Sequence, residues 1–186
     1  MKFIISMALA AALAGTVIAE TIPTPEELER EVASYTELLR KDGANARYLN
    51  ALGFAYYRLN RINDAMDAFQ RAVAADAGYA VTFNNIGAIY LSQGDFARAE
   101  TAFRSTLRLD PGYVKAAYNL AVALYRQGKY FRAYSSYVTA KQLDPVYVKK
   151  RSSESRGRDE LREEIKRHPG DPRLKEIEKE LMDDTK

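Results

Sequence analysis

The amino-acid sequence predicts an all-α fold, a right-handed solenoid in which pairs of helices are stacked on one another. The first observation is a repeat of 34 residues, because shifting the chain by that distance places Gly87 on Gly53 and on Ala121. The second is that residues 80–113 contain two helical segments separated by the turn Gly94-Asp95, and that residues 60–63 and Gly128-Lys129 supply the corresponding turns of the neighbouring units. A period of this length is typical of helix-turn-helix solenoids, whose units bury their apolar faces only by stacking.

Four further columns of residues share this period. They are Ala65, Ala99 and Ala133; Phe69, Phe103 and Tyr137; Asp76, Asp110 and Asp144; and Tyr79, Tyr113 and Tyr147. These residues resemble the tetratricopeptide repeat family, in an exported bacterial form, over residues 46–147. The resemblance implies a non-enzymatic module that binds a protein or peptide, although the fold by itself does not identify the partner.

The repeat divides the chain into six segments. We expect a signal peptide at 1–19, an N-terminal capping helix with the register of a half-repeat at 20–45, repeats at 46–79, 80–113 and 114–147, and a basic cap or linker with C-terminal helices at 148–186.

The first nineteen residues have the pattern of an export signal. Lys2 is followed by an apolar run from Phe3, and small residues lead to Ala19 before Glu20. This pattern predicts cleavage after Ala19 and a periplasmic protein. The alternative is an uncleaved membrane anchor, since the run is just long enough to span a bilayer.

A helix is predicted to begin at Thr24-Pro25. Thr24 is a good N-cap, Pro25 suits the first helical position, and Glu27 can close a capping box. Gly43 is placed to end this helix. Because Tyr35 precedes Phe69 by 34 residues, the segment is interpreted as a half-repeat that caps the stack.

Beyond the third repeat the pattern weakens. Val148-Lys149 begins a fourth unit, but the apolar face is then lost, so 149–158 is interpreted as a solvating cap or linker. Helices are predicted at 159–167 and 172–182.

Catalytic and metal-binding chemistry finds little support in this composition. The chain has no cysteine, and its single histidine, His168, lies in a charged turn without a recognisable partner. The acidic pairs Glu163-Glu164 and Asp183-Asp184 are adjacent in sequence and therefore form no ligand cage. We therefore expect no enzyme, no cofactor and no metal, and with a net charge of only +3 we expect no nucleic acid partner.

The family resemblance implies that the first helix of each repeat lines a concave groove. The residues that align with the groove positions are Arg47, Asn50, Phe54, Tyr57, Arg58, Val81, Asn84, Ala88, Leu91, Lys115, Tyr118, Val122, Tyr125 and Arg126. Such a lining offers amides, aromatic rings and cations to a peptide. Alternatively, Tyr57, Tyr118 and Tyr125 are packing residues. A carboxylate clamp of the kind found in some relatives is matched only at Asn85 and Lys115, so the sequence does not predict one.

The sequence thus favours a scaffold or adaptor of the bacterial envelope that binds a peptide or helix of an unidentified protein. One alternative is attachment to membrane headgroups or a polyanion through Lys149, Lys150, Arg151, Arg156 and Arg158. The other is an enzyme accessory subunit or a self-assembling array. Self-assembly would suit the charges, since residues 20–45 hold seven acidic and three basic residues and could meet the basic groove.

Overall fold

The computed structural model describes residues 23–154, which form helices joined by short turns. The helices are α1 (Pro25–Asp42), α2 (Ala46–Arg58), α3 (Ile62–Ala75), α4 (Ala80–Ser92), α5 (Phe96–Leu109), α6 (Val114–Arg126), α7 (Tyr130–Leu143) and α8 (Pro145–Glu154). The predicted signal peptide, the helices at 159–167 and 172–182, and His168 lie outside the described residues. Within residues 23–154 there is no strand, so the prediction of an all-α solenoid is confirmed.

Helix α1 begins as its sequence predicts. The Thr24 amide donates to Glu27 Oε2 at 2.8 Å, and the Glu27 amide donates to Thr24 Oγ1 at 3.2 Å. Leu28 and Val32 are buried, and Gly43 ends the helix with a φ of 75°. This helix packs on α2, where Val32 and Tyr35 join Leu52 in one apolar cluster. It therefore covers the end of the stack that precedes the first helix pair.

The three helix pairs are α2–α3, α4–α5 and α6–α7, which begin at 34-residue intervals. We call α2, α4 and α6 the first helices, and α3, α5 and α7 the second helices. Each turn within a pair contains a residue with positive φ: Asn60 at 59°, Gly94 at 78° and Gly128 at 72°. Because this backbone conformation favours glycine and tolerates asparagine, the turn residues predicted from sequence are those that reverse the chain.

Apolar side chains from the second helices fill the space between successive pairs. Phe69 is buried against Ile86 and Ile89 of the next pair. Phe103 is in turn buried against Leu120 and Leu124 of the third pair. The core therefore runs continuously along the stack and has no single centre, as expected for a repeat protein.

The turns between pairs explain where α8 begins. The Asp76 and Asp110 carboxylates accept a hydrogen bond from the glycine amide two residues later, at 2.8 Å and 3.0 Å. Val146 replaces that glycine in the third turn, and Asp144 instead accepts from the Tyr147 amide at 2.8 Å. Helix α8 consequently starts at once at Pro145, and the segment interpreted as a solvating cap or linker is helical from Lys149 to Glu154.

The first helices form the inner side of the stack. Successive first helices, α2 with α4 and α4 with α6, contact one another directly, while the second helices contact mainly the first helices on either side. In a curved stack the more closely spaced row of helices lies on the concave side. The exposed face of α2, α4 and α6 is therefore the groove.

Candidate functional site

Helical periodicity places the predicted groove residues of each first helix on one face. Arg47, Phe54 and Arg58 are spaced by seven and four residues along α2 and so share a stripe. The neighbouring stripe of α2 carries Gly53, which packs on the Phe69 ring of α3. The stripe with Arg47 therefore faces away from α3, and we call this surface and its equivalents on α4 and α6 the groove face.

Three asparagines form a hydrogen-bonded row at the floor of the groove face. Asn85 donates through Nδ2 to Asn50 Oδ1 at 3.0 Å, which joins α4 to α2. Asn84 donates through Nδ2 to Asn85 Oδ1 at 3.4 Å. Asn50 and Asn84 were both predicted as groove residues. They are only 8% and 6% exposed, so both side chains are largely covered. The row aligns adjacent helices more than it offers donors to a ligand.

Tyr118 is also a buried residue. It is 8% exposed and lies in a cluster with Ala140 of α7 and Val148 of α8. The Tyr147 ring meets it edge-on, with ring centroids 6.0 Å apart and planes at 90°. Tyr118 therefore packs beneath the start of α8, which agrees with the packing alternative for this tyrosine.

An aromatic and cationic surface lies on α2, the first helix of the first pair. Phe54 is 46% exposed, and its ring is stacked on Tyr57 with centroids 6.5 Å apart and planes at 27°. The Arg58 guanidinium lies over the Phe54 ring at 5.8 Å. Two neighbouring aromatic rings beside a guanidinium group present the residue types that are enriched at protein interfaces. We call Phe54, Tyr57 and Arg58 the aromatic platform.

The remaining predicted groove residues divide into two groups. The partly buried ones are Tyr57, Val81, Ala88, Leu91, Val122 and Tyr125, and the exposed ones are Arg47, Arg58, Lys115 and Arg126. Tyr125 lies 5.5 Å from the Tyr130 ring, and Arg126 lies over Phe96 at 5.0 Å. The groove face is therefore apolar along its middle and cationic at its edges.

The charges of the groove face are all of one sign. The first helices contain Arg47, Arg58, Lys115 and Arg126 and not one Asp or Glu. Within residues 23–151 none of these four cations lies within salt-bridge distance of a carboxylate. Cations that do pair with carboxylates lie elsewhere, among them Arg40, Lys41, Arg61, Arg71, Arg98, Arg104 and Lys129.

A buried carboxylate that the sequence analysis missed joins the second and third pairs. Glu100 of α5 accepts hydrogen bonds at Oε2 from Lys129 Nζ at 2.8 Å and from Gln127 Nε2 at 2.9 Å. Arg104 Nη1 lies 2.6 Å from Oε1. Burial raises the pKa of this carboxyl, but the hydrogen bonds and the two positive charges outweigh it, so the pKa is lowered. The equivalent residues, Met66 and Tyr134, carry no charge, so the repeat pattern gave no signal for this contact.

A cleft of about 360 Å³ lies between α1 and α3, behind the groove face. Its wall includes Thr36, Leu52, Tyr56 and Ala68, and four charged side chains. Asp64 and Asp67 pair with Arg61 and Arg71, and Arg40 pairs with Glu37. Because its charges pair with their own neighbours, the cleft offers no unpaired ionic group to a ligand.

Other kinds of site find no support in the described part of the chain. Residues 23–154 contain no cluster of three or more His, Asp or Glu side chains that could hold a metal ion. Over the same residues no helix combines the length and apolar character needed to cross a bilayer. Lys149, Lys150 and Arg151 are exposed on α8, whereas Arg156 and Arg158 lie outside the described residues.

Solved structures of similar shape are repeat proteins. Two crystal structures of MamA are each 25% identical with a TM-score of 0.57; one match covers 63% of this chain and 69% of MamA, and the other 69% and 68%. The first tetratricopeptide domain of Spaghetti, bound to an HSP90 peptide, is 24% identical with a TM-score of 0.53, over 55% of this chain and 81% of that one. YrrB, a tetratricopeptide protein described as having an unusual peptide-binding site, is 21% identical with a TM-score of 0.56, over 65% of this chain and 62% of that one.

Family models lead to the same conclusion. No curated protein sequence matches this chain significantly. Two models described as tetratricopeptide repeat match residues 46–79 and 85–145, which together make up just over half of the 186 residues. The matched segments coincide with the helix pairs α2–α3, α4–α5 and α6–α7. The chain belongs to the tetratricopeptide repeat family.

Proposed function

We propose that this protein is a non-catalytic scaffold of the bacterial cell envelope that binds a peptide or a helix of a partner protein along the groove face. The observation that carries the proposal is the aromatic platform, where Phe54 stays 46% exposed while the equivalent stripe of neighbouring helices is covered or small. Tyrosine, phenylalanine and arginine are enriched where proteins bind one another.

The fold also suits this function. In Spaghetti a domain of this fold holds a peptide, and YrrB is described as a peptide-binding protein, so stacked helix pairs of this kind can bind a chain segment. The groove face here is preformed, since α4 contacts both α2 and α6 directly. A preformed surface lowers the entropic cost of binding.

The pattern of residues 1–19 supports the envelope location. A signal that is cleaved after Ala19 would place the repeats outside the cytoplasm. Intact mass of protein purified from an exporting host should correspond to a chain that begins at Glu20. Recovery of the full-length chain in the membrane fraction would instead favour the uncleaved anchor.

Capture of partners from envelope extract tests the binding role. The variant Phe54→Ala/Tyr57→Ala removes the aromatic platform, and Phe131→Ala on α7 is its control, because Phe131 is 64% exposed but lies on a second helix. We expect the platform variant to lose a captured protein that wild type and Phe131→Ala both retain. Truncation of aromatic residues at a binding hot spot costs on the order of 2 kcal/mol or more.

Charge reversal on α8 distinguishes binding along the groove face from attachment through the basic residues of α8. A variant with Lys149→Glu, Lys150→Glu and Arg151→Glu leaves the groove face intact. If this variant loses the captured protein and the platform variant keeps it, attachment through the basic segment replaces binding along the groove face.

A further inference from the structure

The four cations of the first helices, none of which pairs with a carboxylate among residues 23–151, occupy only two positions of the repeat. Arg47 and Lys115 are the second residues of α2 and α6, and Arg58 and Arg126 are the last. The central first helix, α4, has Val81 and Ser92 at these positions and carries no charge at all. Along the stack the groove face is therefore cationic, then uncharged, then cationic again, at both of its edges.

Stability does not account for two of these cations. Arg47 and Lys115 lie in the first turn of their helices, where the helix dipole favours negative charge and disfavours positive charge. Neither has a carboxylate partner among the described residues, although the repeats contain seven acidic side chains. All seven lie on second helices or in turns, so the groove face contains no negative side chain to balance its cations.

The spacing of the cations defines the length of a matching ligand. Packed helices lie roughly 8 to 10 Å apart, so α2 and α6 are separated by roughly 16 to 20 Å across α4. An extended chain advances about 3.3 Å per residue, so about five or six residues bridge this span. Between the cations the ligand would pass over Ala88 and Leu91 of α4, which are partly buried and apolar or small.

We propose, building on the function above, that the occupant of the groove face is a peptide segment with carboxylates on both sides of an uncharged apolar stretch of about five residues. The carboxylates would meet the cations of α2 and α6, and the apolar stretch would cross α4 beside the Phe54 and Tyr57 rings. A carboxylate gains charge-assisted hydrogen bonds from arginine or lysine, and these four cations give up no carboxylate partner to make them.

Selection from a random peptide library displayed on phage tests the proposal without assuming a sequence. The full mature protein is immobilised, and the platform variant Phe54→Ala/Tyr57→Ala serves for counter-selection. We expect enriched peptides to carry Asp or Glu on both sides of an apolar stretch. Enriched peptides without this pattern would overturn the assigned ligand chemistry and leave the peptide-binding function standing, whereas no enrichment over the platform variant would overturn the function itself.

Charge reversal then tests whether Arg47 and Lys115 contact the carboxylates of the peptide. A labelled peptide from the selection is titrated against Arg47→Glu/Lys115→Glu and against Arg108→Glu/Arg132→Glu, which changes two exposed arginines of the second helices that also lack a carboxylate partner among residues 23–151. We expect affinity to fall by about tenfold or more with the first variant and by less than about twofold with the second. Equal effects of the two variants would mean that only net charge matters, and the proposal would be wrong.

A second copy of this chain is the competing occupant, because α1 carries Glu26, Glu27 and Glu29 at exposed positions. Sedimentation of the mature protein distinguishes a second copy from a partner's peptide as the occupant of the groove face. We expect the same sedimentation for wild type and for Arg47→Glu/Lys115→Glu. A wild-type oligomer that this variant disperses would show that the groove face binds another copy, which would overturn the assignment to a partner's peptide.

Discussion

Gly87 lies directly beneath the ring of Phe103: a Cβ atom built on Gly87 would come within 2.7 Å of Phe103 Cε1. The same relationship holds in the first pair, where a Cβ on Gly53 would lie 2.7 Å from the Phe69 ring. In the third pair Ala121 replaces the glycine and Tyr137 is only partly buried, whereas Phe69 and Phe103 are 1% and 0% exposed. Because Gly53 and Gly87 have no side chain, the rings of Phe69 and Phe103 can enter the core.

Gly87→Leu should therefore destabilise the stack. Phe103 is fully buried against Leu120 and Leu124 and has no room to move away, and overpacking of a core typically costs about 1 to 3 kcal/mol. Gly112→Leu is the matched control, because a Cβ there meets only Asp110 Oδ1 at an ordinary 3.4 Å. Urea denaturation should give a free energy of unfolding lower by about 3 kcal/mol for the first variant and nearly unchanged for the second. Equal stability of the two variants would mean that Gly87 is not at a close contact.

Asn60 occupies a turn position at which the other pairs have glycine. Its φ of 59° strains a residue with a Cβ, although asparagine tolerates it better than most. Asn60→Ala should lower the free energy of unfolding by about 1 kcal/mol, while Asn60→Gly should leave it unchanged or raise it slightly. Thermal melts followed by circular dichroism measure both. A loss of stability with glycine as large as that with alanine would show that the Asn60 side chain, not its backbone, supports the turn.

The sequence predicted local features well because they depend on a few neighbouring residues. The capping box at Thr24 and the turn glycines at Gly94 and Gly128 are of this kind. Helix α8 was not predicted, since after Pro145 the only strongly buried side chain among the described residues is Val148, and one apolar residue creates no periodic pattern. Its start depends on Val146 standing where two earlier turns have glycine.

The groove was harder to predict than the fold. Alignment identifies which residues of a first helix face the concave side, but whether they remain exposed depends on the neighbouring helices. Asn84 is only 6% exposed and donates to Asn85, which in turn joins α4 to α2, and Tyr118 is covered because α8 begins above it. Both contacts join different units of the stack, so the sequence pattern of one repeat cannot predict them.

Glu100 makes stability depend on pH. Burial alone would raise its pKa, but Lys129, Gln127 and Arg104 lower the pKa in the folded protein, so its contribution is complete above the unfolded pKa of about 4.3. The contribution is lost as the pH falls from that value through the folded pKa. Glu100→Gln should lower the free energy of unfolding by about 1 to 3 kcal/mol at pH 7, and the difference from wild type should shrink below about pH 4.3.

Glu37→Gln is the control for this measurement. Glu37 forms an ion pair with Arg40 at 2.8 Å, but its side chain is 47% exposed and the pair is screened by solvent, so we expect little change in the free energy of unfolding. A difference between wild type and Glu100→Gln that stays constant from pH 7 to pH 3 would show that the loss comes from packing rather than from charge.

Thr82 on α4 has a fully buried hydroxyl group that makes no hydrogen bond to any described residue. A buried polar group without a partner is unfavourable, and valine has nearly the same shape without the hydroxyl. Thr82→Val should therefore raise the free energy of unfolding by about 1 kcal/mol. A decrease of similar size would mean that the hydroxyl has a partner in solution, such as a bound water.

The most direct test of the groove face uses the absence of tryptophan from this chain. Phe54→Trp places a single fluorescent reporter on the aromatic platform, and Phe131→Trp places one on a second helix, at a residue that is also exposed. When a selected peptide or the captured partner is added, we expect the emission of Phe54→Trp to shift to shorter wavelength as the indole is covered, while that of Phe131→Trp stays constant. A shift confined to Phe131→Trp would show that the ligand binds the second helices and would contradict binding along the groove face.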